Sequence, residues 1–380
     1  MKFRTKAIHV GNQRCQTTGA VVPPIHLAST YVQTHPGEWG DYDYSRSGNP
    51  TRDNMEDTLA ALEGGCDALA FASGMAATHC VTMLLSAGDH IVAGTDIYGG
   101  TYRLFHKICN RAGIEITLVD ASQPANIAKG IQDNTKLVWI ESPGNPLLSI
   151  TDIKACADIA KQAGVLIGID NTFASPVLTR PLELGIDIVM HSATKYLGGH
   201  SDALGGALVV QDPDLREKLY FIQNSTGNCM SPLDSFLISR GMKTLDLRVR
   251  AQSESALSIA KYLDDDPRIS RVLYPGLPAF PGHSIAAQQM DGAFGAMLSF
   301  EIVGDFEQAK RVTASTRLFQ LAVSLGAVES LIEQPASMSH ASYDRKDRLA
   351  HGINDELIRL SVGLEDVDDL IADLDQALDY

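Results

Sequence analysis

Ser192-Ala193-Thr194-Lys195-Tyr196-Leu197-Gly198-Gly199-His200-Ser201-Asp202 follows directly on the run Ile186-Asp187-Ile188-Val189-Met190. The run reads as a buried strand. Lys195 then sits just past its carboxyl end, the edge where open α/β sheets bind ligands. A lysine walled by apolar groups gives up its proton readily and becomes a nucleophile toward an aldehyde. Ser192 and Thr194, just before it, add hydroxyls that a phosphate can use. Taken alone, the same residues equally describe a solvated loop lysine beside a glycine turn. The decision rests on what surrounds them.

Two earlier segments repeat the pattern. Leu137-Val138-Trp139-Ile140 ends in Glu141-Ser142-Pro143-Gly144-Asn145-Pro146, and Val165-Leu166-Ile167-Gly168-Ile169 ends in Asp170-Asn171-Thr172. Helical stretches such as 153–163 lie between them, so the order is β-α-β-α and the central sheet is expected to be mostly parallel. Right-handed crossovers put the three carboxyl ends on one edge, where Asn145, Asp170 and Lys195 converge. Further upstream, Ala68-Leu69-Ala70-Phe71-Ala72 reads as a strand and Ser73-Gly74-Met75-Ala76-Ala77 as the opening of a helix. Strand, glycine turn and helix start make an anion site, with free N–H groups and the positive dipole end facing the ligand. After the strand His90-Ile91-Val92-Ala93 comes Tyr98-Gly99-Gly100-Thr101, whose glycines leave room for a planar group over the tyrosine ring.

These parts have a joint meaning. Pyridoxal phosphate needs a lysine for its aldehyde, a carboxylate to keep its ring nitrogen protonated, an aromatic to stack on and a phosphate cup. Lys195, Asp170, Tyr98 and the group Gly74, Ser192 and Thr194 supply them in that order. Tyr44 and Arg46, two apart in an extended stretch, point the same way. Arg46 has the fork to grip a phosphate, although a surface ion pair explains it as well.

At 380 residues and 44% hydrophobic, the chain has material for two globular units. Residues 1–50, with Pro23, Pro24, Pro36 and Pro50, read as an extended arm suited to lie on a neighbouring subunit. Residues 51–245 form the sheet domain, and 246–380 a second, smaller α/β unit with a helix over 251–263 and strands at 271–274 and 296–302. A formal net charge of −15 argues against nucleic-acid and anionic-membrane partners. The six cysteines show no CxxC pair, so neither a metal site nor a disulfide framework is expected, and a reducing cytoplasm fits best. The amino terminus lacks an apolar signal-peptide core, and no apolar run approaches the ~18 residues of a membrane span. Arg359 lies inside the apolar run 357–362. A buried guanidinium must be paired, either by a substrate α-carboxylate or by a structural Asp or Glu.

Together these residues resemble the pyridoxal-phosphate enzymes of cysteine and methionine metabolism, the transsulfuration family with the aspartate-aminotransferase-like fold. The resemblance runs nearly end to end, through Val21–Ile25, Tyr44–Thr51, Ser73–Met75, Tyr98–Thr101, Glu141–Pro146, Asp170–Phe173, Ser192–Gly199 and Arg359–Asp366. It implies that Lys195 binds the cofactor aldehyde and shuttles protons, that Asp170 pairs with the ring nitrogen, and that Tyr98 stacks on the ring and assists proton transfer. Gly74, Met75, Ser192 and Thr194 would hold the phosphate, with Tyr44 and Arg46 of an adjoining subunit. Asn145 would lie near the ring hydroxyl, and Arg359 with Ser324 would take the carboxylate of an amino-acid substrate. A homotetramer of active dimers is implied as well.

Within the family, Gly100 resembles the cystathionine enzymes and Gln223-Asn224-Ser225 the cystathionine γ-lyases, whereas methionine γ-lyases carry cysteine and lysine at those places. Val323 resembles methionine γ-lyases instead. Cystathionine γ-lyases and γ-synthases usually have there a glutamate that recognises the distal amino group. Cystathionine β-lyases, with tyrosine at that position, look less similar. The wider agreement implies γ-elimination of cystathionine, with methionine γ-lyase or γ-synthase chemistry on O-succinyl- or O-acetylhomoserine as alternatives.

Overall fold

The apolar runs fold as strands in a computed structural model that describes residues 1–341 and 344–379. They are β1 (Asp67–Phe71), β2 (His90–Gly94), β3 (Glu115–Val119), β4 (Thr135–Glu141), β5 (Leu166–Asp170), β6 (Ile188–His191) and β7 (Gly206–Val210). Seven strands make one sheet in the order β1-β7-β6-β5-β4-β2-β3. From β6 to β3 all pairings are parallel, while β7 runs antiparallel to both its neighbours.

Side chains alternate across a strand with period two. Val138, Ile140, Ile167, Ile169 and Val189 therefore feed the core on one face. Leu137, Trp139, Ile188 and Met190 feed the core on the other. Packing between strands also sets residue size. Gly168 stands opposite Trp139 in the β4–β5 register, and a Cβ on it would lie 2.8 Å from the indole. Helices cover the sheet and are capped by their own sequence. The helix Pro50–Glu63 starts at Asn49, whose side chain accepts from the N–H groups of Thr51 and Arg52, and stops at Gly64 with φ +79°. Such a cap contributes about 1 kcal/mol, and the left-handed stop favours glycine.

The second unit carries β8 (Ile269–Leu273), β9 (Met297–Ile302), β10 (Gln320–Leu321), β11 (Leu331–Glu333) and β12 (Leu357–Ser361). They form a sheet in the order β10-β11-β12-β9-β8, antiparallel except for β10–β11. The helix expected over 251–263 begins earlier, at Leu245, and runs to Asp264. It packs on β8, β9 and the helix Val367–Leu378.

The first fifty residues are not extended throughout. Phe3–His9 is a helix with Ala7 buried. Arg4 pairs with Asp246, and the Lys6 ammonium donates to the Ala61 carbonyl at 3.0 Å. Residues 10–49 then run in turns and bends, with a bridge between Thr30 and Tyr44. Among the described residues no helix is long and apolar enough to cross a membrane, and no His, Cys, Asp and Glu group is arranged to hold a metal ion.

Candidate active site

Neighbouring strands β4, β5 and β6 end side by side, and their ends open into a cavity of about 350 Å3. That volume falls in the range of small-molecule sites, roughly 300–1,000 Å3. Lys195, Asp170, Tyr98, Gly74, Met75, Ser192, Thr194, Asn145, Arg359, Ser324 and Val323 all line it. Residues brought from five separate strand ends and from the second sheet thus share one pocket. Tyr44 and Arg46 do not line it. Tyr44 is exposed, and Arg46 donates to the Asn224 carbonyl at 2.6 Å. Gln223, also singled out from sequence, is buried away from the cavity and donates to the Ala70 carbonyl at 2.9 Å.

The lysine is held at both ends. Its N–H donates to the Ser192 carbonyl at 3.1 Å, and its ammonium donates to the Ser324 hydroxyl at 2.6 Å. Burial, and then the positive charge of Arg359, lowers its pKa to about 8. A far larger share of the amine is therefore neutral near physiological pH than for an ordinary lysine, as a nucleophile requires. Asp170, at the end of β5, is 5% exposed and accepts from the Thr172 N–H at 3.0 Å. Burial raises its pKa, while the hydrogen bonds from Thr172 and the charges of His191 and Lys195 oppose the rise. A cation placed against this carboxylate would complete its pairing.

The candidate phosphate cup is shaped by glycines. Ser73 caps the helix Gly74–Thr82 by accepting from the Ala76 N–H. Gly74 faces Ser192 so closely that a Cβ on it would lie 3.1 Å from the serine Cβ. Gly206 is tighter still, because a Cβ there would meet the Ser73 carbonyl oxygen at 2.2 Å. Thr194 is anchored by exchange with Gly205, donating to its carbonyl at 3.1 Å and accepting from its N–H at 3.0 Å. Side chains at 74 or 206 would fill the space in which the helix start and the hydroxyls of Ser192 and Thr194 meet. The donors, the cradle and the amine together fit pyridoxal phosphate.

On the facing wall Arg359, 4% exposed, donates to Asn145 Oδ1 at 2.8 Å and to the Ser324 carbonyl at 3.0 Å. It also pairs with Glu333 at 3.1 Å. Of the two partners open for Arg359, the structural carboxylate is thus present, and the guanidinium still borders the cavity, its Nε without a hydrogen-bond partner. Two lining carboxyls had been given no role from sequence. Glu333 is the cross-strand neighbour of Arg359. Glu141 is the neighbour of Asp170 and accepts from the Tyr98 N–H at 2.7 Å. The available signal was the same as for Arg359, a charge inside or ending an apolar run.

A parallel sheet whose strand ends hold a depressed lysine and a buried aspartate beside a glycine-walled phosphate cup defines a pyridoxal-phosphate enzyme of the aspartate-aminotransferase-like class. The chain belongs to the Cys/Met metabolism PLP-dependent enzyme family, which matches it over residues 4–379. It is 51% identical over 379 residues to a cystathionine γ-lyase of Bacillus subtilis, covering 100% of both chains. It is 49% identical over 376 residues to a cystathionine β-lyase of Coxiella burnetii, covering 98% of this chain and 97% of that one. The crystal structure of a cystathionine γ-lyase from Lactobacillus plantarum complexed with L-serine superimposes with a TM-score of 0.97 at 49% identity, covering 100% of this chain and 99% of the other. Proteins named β-lyase are thus almost as similar as those named γ-lyase, contrary to the expectation drawn from position 323.

Proposed function

We propose that the protein is a carbon–sulfur lyase that cleaves cystathionine by γ-elimination, consuming one water and giving cysteine, 2-oxobutyrate and ammonia. The observation that carries this reading is the full-length similarity to cystathionine γ-lyase. Gly100 supports it: a Cβ at this position would lie 2.4 Å from the Tyr98 ring and 2.9 Å from the Met75 sulfur. The cysteine of methionine γ-lyases would therefore require a repositioned tyrosine.

Bound pyridoxal phosphate supplies an electron sink that stabilises negative charge at the substrate α-carbon. The residues around it divide the remaining work. Lys195 would hold the aldehyde, and its amino group would move protons at the substrate α- and β-carbons. Asp170 keeps the ring nitrogen cationic. Tyr98 stacks on the ring and assists proton transfer to the leaving sulfur. Gly74, Met75, Ser192 and Thr194 hold the phosphate, and Asn145 orients the ring hydroxyl. Arg359 and Ser324 take the substrate carboxylate. Tyr44 and Arg46 serve the phosphate of an adjoining subunit in a homotetramer built from active dimers. This part of the proposal is supported by their absence from the lining of their own cavity and by the exposed apolar residues Val21, Leu27, Val32 and Trp39 in the same arm. Six unpaired cysteines suit a cytoplasmic enzyme.

Val323 favours a second reading, methionine γ-lyase, because it brings an apolar side chain to the cavity wall. Release of 2-oxobutyrate from cystathionine and from methionine, measured side by side, separates the two. Faster turnover of cystathionine is expected, and faster turnover of methionine overturns the proposal. Pyruvate as the main keto-acid product would instead indicate β-elimination. Thioether formation from cysteine and O-succinylhomoserine would indicate γ-synthase chemistry.

A further inference from the structure

Glu141 stands in the cavity without a part in the chemistry assigned so far. It ends β4, is 6% exposed, and its backbone lies in register with Asp170 on β5. One of its carboxyl oxygens accepts the Tyr98 N–H at 2.7 Å. Tyr98 follows β2 and is the N-cap of the helix Gly99–Arg103, so this hydrogen bond ties the aromatic segment to the sheet.

Two buried carboxyls on adjacent strand ends do not both ionise readily, because like charges at close range disfavour each other in a low dielectric. Burial pushes Glu141 well above the usual carboxylate range. The neighbouring Asp170 and Asp96 push it further, and the Tyr98 N–H and Arg359 act in the opposite sense. For Asp170 the rise from burial is opposed by the hydrogen bonds from Thr172 and by the influence of His191 and Lys195. These directions favour the proton on Glu141 and the charge on Asp170.

We propose that Glu141 is a positioning residue that acts as a neutral acid, its carbonyl oxygen holding the Tyr98 backbone so that the ring sits against the cofactor, while Asp170 alone bears the charge of the pair. The proposal rests on the reading of the cavity as a pyridoxal-phosphate site. It does not depend on which substrate is cleaved.

Glu141→Gln keeps a neutral acceptor, and Glu141→Met keeps the length but removes it. In the holoenzyme, E141Q is expected to leave the visible circular dichroism of the bound cofactor and the pH profile of kcat/KM superimposable on wild type. E141M is expected to weaken the dichroism and to lower kcat by roughly tenfold or more, with KM little changed. An E141Q variant as impaired as E141M, or one with a displaced pH profile, overturns the proposal, since either result means that an ionised carboxylate is required. So does an E141M variant with wild-type dichroism and kcat. If E141M does not fold, E141Q decides alone: superimposable dichroism and pH profile support the assignment and displaced ones overturn it. Cofactor dichroism without substrate keeps failure here distinct from an error about cystathionine.

Discussion

On the wall supplied by the central sheet, Glu141 and Asp170 end adjacent parallel strands, and Lys195 follows the next one within four residues. The facing wall is assembled differently. Arg359 and Glu333 come from the paired strands β12 and β11, while Val323 and Ser324 come from the segment between the short strands β10 and β11. Groups at strand ends are fixed by hydrogen-bonded register and by cores on both faces. A short segment between strands is held by a few side-chain contacts and tolerates exchange. The difference teaches that this scaffold keeps its cofactor chemistry rigid and leaves the choice of substrate to the wall that varies at lower cost.

Substitutions on the rigid wall should abolish chemistry, and those on the other should redirect it. Lys195→Ala is expected to lower kcat by roughly 10⁴-fold and to abolish borohydride-fixed retention of the cofactor, seen as loss of the mass increment. Residual turnover within about a hundredfold of wild type would break the comparison. Next in size is a pH effect. Burial depresses the Lys195 pKa to about 8, so the amine is protonated below that pH and neutral above it. Coupling of pyridoxal phosphate to the apoenzyme, followed by visible absorbance, should slow about tenfold per unit below that midpoint and level off above it. A rate that keeps rising about tenfold per unit through pH 8 and levels off only near its ordinary value of 10.5 would mean that the lysine is not desolvated.

On the other wall, Arg359→Lys keeps the charge but loses the fork that reaches Asn145 and Ser324. KM for cystathionine should rise about 10- to 100-fold, the worth of a charge-assisted hydrogen bond, with kcat far less affected. A fall in kcat at constant KM would move Arg359 to the chemical side. Smallest is Val323→Glu. Val323 is 59% exposed, so a carboxylate there works in high dielectric and should raise the preference for cystathionine over methionine by only about fivefold. An unchanged ratio of the two kcat/KM values would detach this position from specificity.

Asp170, Asn145 and Lys195 were legible because each closes or follows an apolar run, and handedness sends parallel strand ends to one edge. β3 was not read. Glu115–Val119 is an edge strand without a fully buried residue, so its pattern lacks the apolar continuity of β4 and β5. β10 spans two exposed residues and leaves no periodicity to detect. Glu333 was missed for another reason. Its role depends on β11 pairing with β12 so that it faces Arg359, and pairing between distant strands is not written in either one. The same holds for Glu141, quoted within its motif yet assigned nothing, because its partner is a main-chain N–H 43 residues away. Tyr44 and Arg46 were legible as a pair, but their own cavity leaves them out.

Ser324 adopts φ +104° although it is not glycine, a conformation that costs on the order of 1–3 kcal/mol and persists where surrounding contacts over-determine it. Its hydroxyl receives Lys195 and its carbonyl receives Arg359. Whatever draws the guanidinium off that carbonyl also loosens the peg on which the amine rests. The amine and the guanidinium thus share one support, and a backbone change at Ser324 would reach both walls of the cavity at once.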